Sequence, residues 1–328
     1  AFTRLGLDVD YRPQLSASEL PTAISGVSIL VVRSKQVSGQ TIESGSALGL
    51  IVRAGAGVNT IDIDAASRRG VFVANVRQNA IAVAELTLGL LLSLDRRLPD
   101  QVAELRAGKW NKKEFSKAAG LHGRTLGVIG TGAIGQAVIS RAKAFGMQVH
   151  AWSRSLTSQR AQELGVERAE TISALCASSD AVTVHVAYTP GTRGLVGESA
   201  FARMRKGALF LNTSRTEVVD TAALRRAIEE KGLRVALDVF DAEPEKGEAA
   251  FADDIVKLPN LYGTHHVGAS TEQAQAAIAD ETVRIVEAFV TNGEVRNCVN
   301  VLPPEETPAR AELVVRHYDK VGVLAELL

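Results

Sequence analysis

Short apolar runs and longer amphipathic stretches take turns along this chain. The runs Val27–Arg33 (VSILVVR), Leu48–Arg53 (LGLIVR) and Val71–Ala74 come first, and a shorter one lies at Leu7–Tyr11. Thr125–Gly130, Gln148–Trp152, Ala181–Val186, Ala208–Asn212, Arg234–Val239 and Leu261–Gly263 follow. They are rich in Val, Leu and Ala with little strict polar alternation, which predicts strands buried on both faces, as in parallel sheets. Helical spacing marks the segments between them. Ala65–Arg69 is one turn, Ala80–Leu98 is a long apolar helix stopped by Pro99, and Asp100–Ala107 is a second helix ended by Gly108. Ala133–Phe145, Asp220–Lys231 with an Asp cap and Gly232 at its end, and the amphipathic Thr271–Val290 complete the set. Repeated βαβ units of this kind predict an α/β fold, a doubly wound parallel sheet with helices on both faces.

One junction carries chemistry. Leu126–Gly135 reads LGVIGTGAIG: an apolar strand runs into Gly130, Gly132 and Gly135, and a helix starts at Ala133. The first glycine allows the tight turn, the second lets backbone approach a pyrophosphate, and the third lets helix pack on strand. The helix start offers unpaired N–H groups and a positive dipole end to phosphates. This context predicts a dinucleotide site. About twenty residues on, NAD binders usually carry an acidic residue for the ribose 2′-hydroxyl. Here the strand ends in Ser153-Arg154-Ser155, without a carboxylate. A hydroxyl and a guanidinium would accept a 2′-phosphate, so the position reads as NADP use or tolerance of both cofactors; equally, Arg154 could stack on adenine or sit in solvent.

Composition narrows the classes. At 328 residues the chain can build two cores, and its 37 Lys plus Arg balance 37 Asp plus Glu, giving no charge excess for nucleic acid or an anionic membrane. Cys176 and Cys298 lack metal spacing and suit reduced thiols of a cytoplasmic protein. The apolar stretch Leu86–Leu94 is too short to span a bilayer, and no signal peptide is visible. The opening Ala1–Gly6 resembles the end of a helix, so the chain reads as a fragment lacking a first strand and most of a first helix.

A redox cofactor calls for a base and a cation nearby. His266 in GTHHVGAST follows the last strand, where open sheets place ligands, and imidazole suits a group that accepts and returns a proton. Glu243 in ALDVFDAEP could pair with it and fix its tautomer, and Arg215 in LFLNTSRTEVVD could hold a carboxylate bidentately. Spacing alone leaves His265 as an alternative base. His185, inside AVTVHVA, reads as a packed core residue; His122, His150 and His317 join no constellation, and no cluster suggests a metal.

The blocks LGVIGTGAIG, NTSRTEVVD, ALDVFDAEP and GTHHVGAST, in this order, resemble the signatures of the D-isomer-specific 2-hydroxyacid dehydrogenases over nearly all of residues 1–300. The resemblance implies that Arg215, Glu243 and His266 are catalytic, and it favours His266 over His265 because the family's His precedes a run like Val267–Thr271. It implies a Rossmann sheet at 98–271 and a discontinuous, flavodoxin-like substrate domain at 1–97 and 272–302, with the last helix returning to the first block. Cofactor contacts are expected from Gly130, Gly132, Ala133, Ile134, Gly135, Ser153, Arg154, Thr213, Ser214, Asp238 and Gly268. VVRSKQV, IVRAGAGVNTIDIDAASRRGV and NAIAVAELT resemble the substrate blocks of the branch that oxidises D-3-phosphoglycerate to 3-phosphohydroxypyruvate in serine biosynthesis. Arg33, Lys35, Arg53 and Arg77 are then phosphate candidates, with Ser34 and Asn79 beside the substrate.

After a linker at 303–310, residues 311–328 resemble the start of an ACT domain, incomplete here, which would bind an amino-acid effector in a longer form. Relatives form dimers through the helices near Ala80–Trp110, so a homodimer or homotetramer is expected. Several positions depart from the family. Thr216 replaces a glycine, Asn59-Thr60 replaces Asp-Asn, the 75–79 loop lacks its proline, and Ser153 replaces an acid. An NADPH-dependent hydroxypyruvate or glyoxylate reductase shares the same catalytic set. A corepressor-like dinucleotide sensor is the alternative outside enzymes.

Overall fold

Ten strands form two sheets, each parallel throughout, among the residues described by the computed structural model, 1–244 and 248–301. The first sheet holds β1 (Ile29–Val32), β2 (Leu50–Arg53) and β3 (Phe72–Asn75) in sequential order, with Val32, Arg53 and Asn75 in register at one edge. Successive residues of β2 feed opposite faces, as a strand's period of two requires. Ile51 joins Leu20, Ile24, Ile42 and Val73 on one side, whereas Leu50 and Val52 join Ala74, Ile278, Ile285 and Val286 on the other. That second face is covered by the helix Glu272–Asn292, which is why one compact unit combines residues 1–79 with those from Glu272 onward.

The other unit, residues 80–271, holds β4 (Thr125–Ile129), β5 (Gln148–Trp152), β6 (Glu167–Arg168), β7 (Ala181–Val184), β8 (Leu209–Asn212), β9 (Arg234–Leu237) and β10 (Leu261–Gly263). Their spatial order is β10-β9-β8-β7-β4-β5-β6. The chain builds outward from β4 to β6, then crosses back to lay β7 on the other side of β4. This is the Rossmann order with one strand added, and it puts the switch point between β4 and β7, where such sheets bind ligands. Val182, Val184, Phe210, Leu224 and Val235 pack one face; Leu126, Val128, Val138, Val149 and Leu211 pack the other.

Several local expectations differ from what forms. Leu7–Tyr11 makes no strand: Val9 and Tyr11 are exposed, and Asp10 pairs with Arg12 at 2.7 Å. The helix Ala80–Arg96 belongs to the 80–271 unit, not to the first block, because Ala84, Leu88, Leu91 and Leu94 are buried with β4, β5 and β8; the division falls before Ala80 rather than after residue 97. Pro99 does not stop that helix. The break is Arg97, at φ 54, and Pro99 sits in the first turn of the next helix, Leu98–Arg106, where its missing N–H costs nothing. β6 is a two-residue edge strand, exposed on both residues, that no apolar run announces. The linker at 303–310 and the ACT-like 311–328 lie outside the described residues.

Candidate active site

The glycine loop joins β4 to the helix Ala133–Ala144 in the form its spacing predicts. Gly130 turns at φ +100, and a Cβ there would lie 2.4 Å from the carbonyl oxygen of His185. A Cβ on Gly135 would lie 2.0 Å from the Gly130 carbonyl oxygen, so only glycine lets the helix start this close to the strand. At Gly132 a Cβ would meet nothing within 4 Å, leaving open space before the helix. No side chain caps that helix. Its first N–H groups and dipole therefore face the open space at the switch point, and this cradle fits a pyrophosphate. Ala133 and Ile134 open the helix, and Ser153 meets the loop through a 2.9 Å hydrogen bond between its Oγ and Thr131 Oγ1.

The chemistry-bearing residues gather beyond β8, β9 and β10 of the same sheet. Buried Asn212, the last residue of β8, shapes the turn that follows. Its Oδ1 accepts from the Ser214 N–H at 3.0 Å and the Ser214 hydroxyl at 2.7 Å, and its amide donates to the Arg215 carbonyl at 2.9 Å. Arg215, half-buried, donates to the Ser214 carbonyl at 2.7 Å and has its remaining donors to offer. Thr213 is buried and shares a 3.0 Å hydrogen bond with Thr87, so its hydroxyl is engaged by the helix Ala80–Arg96.

Beyond β9, one segment supplies two acids with different tasks. Asp238, 1% exposed, accepts through Oδ1 from the Thr264 hydroxyl at 2.6 Å and the Val267 N–H at 2.9 Å, and through Oδ2 from the Gly268 N–H at 2.9 Å. These donors bracket His266, which is held at φ 52, a left-handed conformation that disfavours a residue with a Cβ and persists only when its surroundings enforce it. A Cβ on Gly268 would press to 3.0 Å on Asp238 Oδ2.

Glu243 accepts from the Phe240 N–H at 2.9 Å and from His266 Nδ1 at 2.7 Å. Burial works against its charge, yet the hydrogen bonds from His266 and Phe240 and the positive charges of His266 and Arg215 prevail, and its pKa falls below the usual carboxylate value. An ionised carboxylate can only accept, so Nδ1 carries a proton and Nε2 is left as the basic nitrogen. The His266 side chain is 44% exposed, open to a small molecule. Arg215, Glu243 and His266 are thus brought together. Asn212 and Thr264 escaped the sequence reading; only the Asn-Thr-Ser turn signal at 212–214 pointed to the former.

The substrate candidates lie in the other unit. Arg33, Ser34 and Lys35 directly follow β1, and Arg53 ends β2, so the shared register puts all four at the C-terminal edge of the three-stranded sheet. Arg33 hydrogen-bonds Gln275, and Arg77 donates to Asn75 Oδ1 at 3.2 Å. The Arg53 guanidinium lies over Gly55, where a Cβ would overlap it. Asn79 is half-buried at the end of the loop after β3.

Residues 88–268 match the family described as D-isomer specific 2-hydroxyacid dehydrogenase, NAD binding domain. The chain is 39% identical over 304 residues to D-3-phosphoglycerate dehydrogenase of Methanocaldococcus jannaschii, covering 91% of this chain and 57% of that protein. Among solved structures, the TT0316 protein of Thermus thermophilus superposes with a TM-score of 0.80 at 31% identity, covering 91% of this chain and 94% of that one. D-lactate dehydrogenase of Aquifex aeolicus, solved with NAD and lactic acid, gives 0.79 at 27% identity, covering 92% and 95%. The chain spans 51–61% of the length of the first curated relatives it matches.

Proposed function

The chain belongs to the D-isomer-specific 2-hydroxyacid dehydrogenase family, and on that footing we propose that it interconverts a D-2-hydroxyacid and its 2-oxoacid with NAD(P). The substrate we assign is D-3-phosphoglycerate, oxidised to 3-phosphohydroxypyruvate as the opening step of serine biosynthesis. The observation that carries the reading is the 2.7 Å pair of Glu243 and His266 beside the Arg215 charge, on a sheet with a glycine cradle at its switch point. The 39% identity to an archaeal phosphoglycerate dehydrogenase and the cations Arg33, Lys35 and Arg53 at one sheet edge support the phosphorylated substrate.

When bound, the nicotinamide supplies the hydride acceptor. The backbone of Gly130, Gly132, Ala133, Ile134 and Gly135 would hold the pyrophosphate, with Ser153 and Arg154 at the ribose and Thr213 and Ser214 towards the ring. Asp238 and Gly268 serve that end by shaping the His266 loop. Arg215 grips the substrate carboxylate and the C2 oxygen through its planar fork. His266 Nε2 takes the C2 hydroxyl proton, and the Glu243 carboxylate holds the resulting imidazolium in place. In the reverse direction the same nitrogen returns the proton.

A reductase acting on hydroxypyruvate or glyoxylate is the second reading, favoured by Ser153-Arg154 in place of an acid. Either enzyme would act in the cytoplasm as a homo-oligomer, which exposed Leu98, Val102 and Leu105 on one stripe, with exposed Trp110, support. Steady-state assays of D-3-phosphoglycerate, D-glycerate and glyoxylate with NAD and NADP separate the two. Phosphoglycerate should give the highest kcat/KM; no turnover of any hydroxyacid would overturn the assignment and leave a dinucleotide-binding regulator.

A further inference from the structure

We infer that the end of β5 is a 2′-phosphate site, so that the chain prefers NADP(H) to NAD(H). The inference rests on the dinucleotide reading of the glycine loop and does not depend on which hydroxyacid is the substrate. In open sheets of this order, the end of the second strand faces the adenosine ribose. Here that end is knitted to the glycine loop, with the Gly130 N–H donating to the Trp152 carbonyl at 2.7 Å and Ser153 Oγ 2.9 Å from Thr131 Oγ1. Two hydroxyls therefore share one spot where an NAD site would present a carboxylate.

The two segments that meet here carry charge of one sign. Residues 130–137 and 153–162 contain no Asp or Glu, but they contain Arg154 and Arg160. Glu163, the next acid along, is taken up by Arg160 at 2.8 Å. Arg160 also donates to Gln136 Oε1 at 3.2 Å, and Gln136 Nε2 donates to the Thr131 carbonyl at 2.8 Å, which ties this second guanidinium to the same loop. Arg154 is exposed, and its side chain makes no hydrogen bond or ion pair with any described residue.

Its backbone is fixed nonetheless. Arg154 and Ser155 are the middle of a turn closed by the Leu156 N–H on the Ser153 carbonyl at 3.1 Å. Leu156 is buried, and its carbonyl accepts from Arg168 Nε at 2.8 Å. A free guanidinium on an anchored turn beside two hydroxyls supplies charge-assisted donors to a phosphate dianion. A bare ribose diol, by contrast, wants a strong acceptor, and none stands in these two segments.

Equilibrium titration of the full chain tests this without turnover. Trp152 directly precedes Ser153 and, with Trp110, is one of only two tryptophans, so quenching of its fluorescence reports on the site; calorimetry gives the same constants independently. NADP⁺ should bind at least about tenfold more tightly than NAD⁺, and adenosine 2′,5′-bisphosphate more tightly than AMP. Arg154→Gln should weaken NADP⁺ about tenfold and leave NAD⁺ within about twofold, while Ser153→Asp should reverse the preference. Equal or tighter binding of NAD⁺, or an Arg154→Gln effect that is absent or the same for both dinucleotides, would overturn the inference. Failure of both dinucleotides to bind would overturn the glycine-loop reading beneath it as well, whereas tight NADP⁺ binding without turnover would sink only the proposed reaction.

Discussion

Two histidines stand just beyond strand ends of one sheet, and their surroundings make them opposites. His185 follows β7 directly; it is buried, its Nε2 meets the Thr183 hydroxyl at 3.0 Å, and its Nδ1 has no partner among the described residues. Burial pushes its pKa down to about 3. His266, beyond β10, is 44% exposed and paired with Glu243 at 2.7 Å. A place beyond a strand end therefore does not make a base. What distinguishes the two is a carboxylate on one ring nitrogen of His266 and open space at the other, where His185 has neither.

The widest gap between the two should open on deleting the base. His266→Ala is expected to lower kcat/KM about 10²–10⁴-fold and leave dinucleotide affinity within about twofold, as measured by steady-state kinetics and titration. Removing only the charge on its partner is a smaller cut. Glu243→Gln keeps the shape and loses the ionised acceptor, so kcat should fall about 10–100-fold, the worth of one hydrogen bond to a charged group. Asp238→Asn loosens the backbone rather than the ring: a fall of about tenfold in kcat should accompany a loss of about 2 kcal/mol in denaturant unfolding.

The smallest effect on turnover, and the most telling for the comparison, belongs to His185→Gln, where activity should stay within about twofold. Its signature is acid stability. The unfolded chain takes up a proton below about 6.5 that the native state refuses until about 3, so wild-type stability is full above that window and erodes as pH falls through it. The variant should be spared this erosion, a difference of up to about 2 kcal/mol by about pH 5 in urea melts. Glu243 acts in a lower window. Its depressed pKa contributes stability that is present above the ordinary carboxylate value of 4.5 and disappears only as pH falls through the lower native value.

The sequence carried the sheet well, because Val128, Ile129, Val182 and Phe210 are fully buried and such runs leave a strong pattern. It also brought Arg215, Glu243 and His266 forward, since each follows a strand end in a readable motif. Elements without an apolar pattern could not be seen. β6 consists of exposed Glu167 and Arg168, and it is held by backbone pairing with His150 and Ala151 and by a polar contact of Glu167 with His150 at 3.1 Å, none of which leaves an apolar trace. Leu7–Tyr11 had the opposite fault, an apolar alternation with nothing to pair against. Arg97 could not be read as the break between helices, since its bond to Asp100 at 2.9 Å is an ordinary local i,i+3 pair, and the one to Glu114 at 2.6 Å joins residues seventeen apart. Asp238 was legible as a site residue, but its task depends on Thr264 and Gly268, some thirty residues away.

Because the amides of Val267 and Gly268 are spent on a carboxylate that is itself 1% exposed, their hydrogens can exchange with solvent only when Asp238 is uncovered. A segment with His266 and Val267 at the surface should then show the slow deuterium uptake of a core strand. The orientation of the imidazole would last as long as the fold of the sheet beneath it, and would not be reset by each fluctuation of the loop.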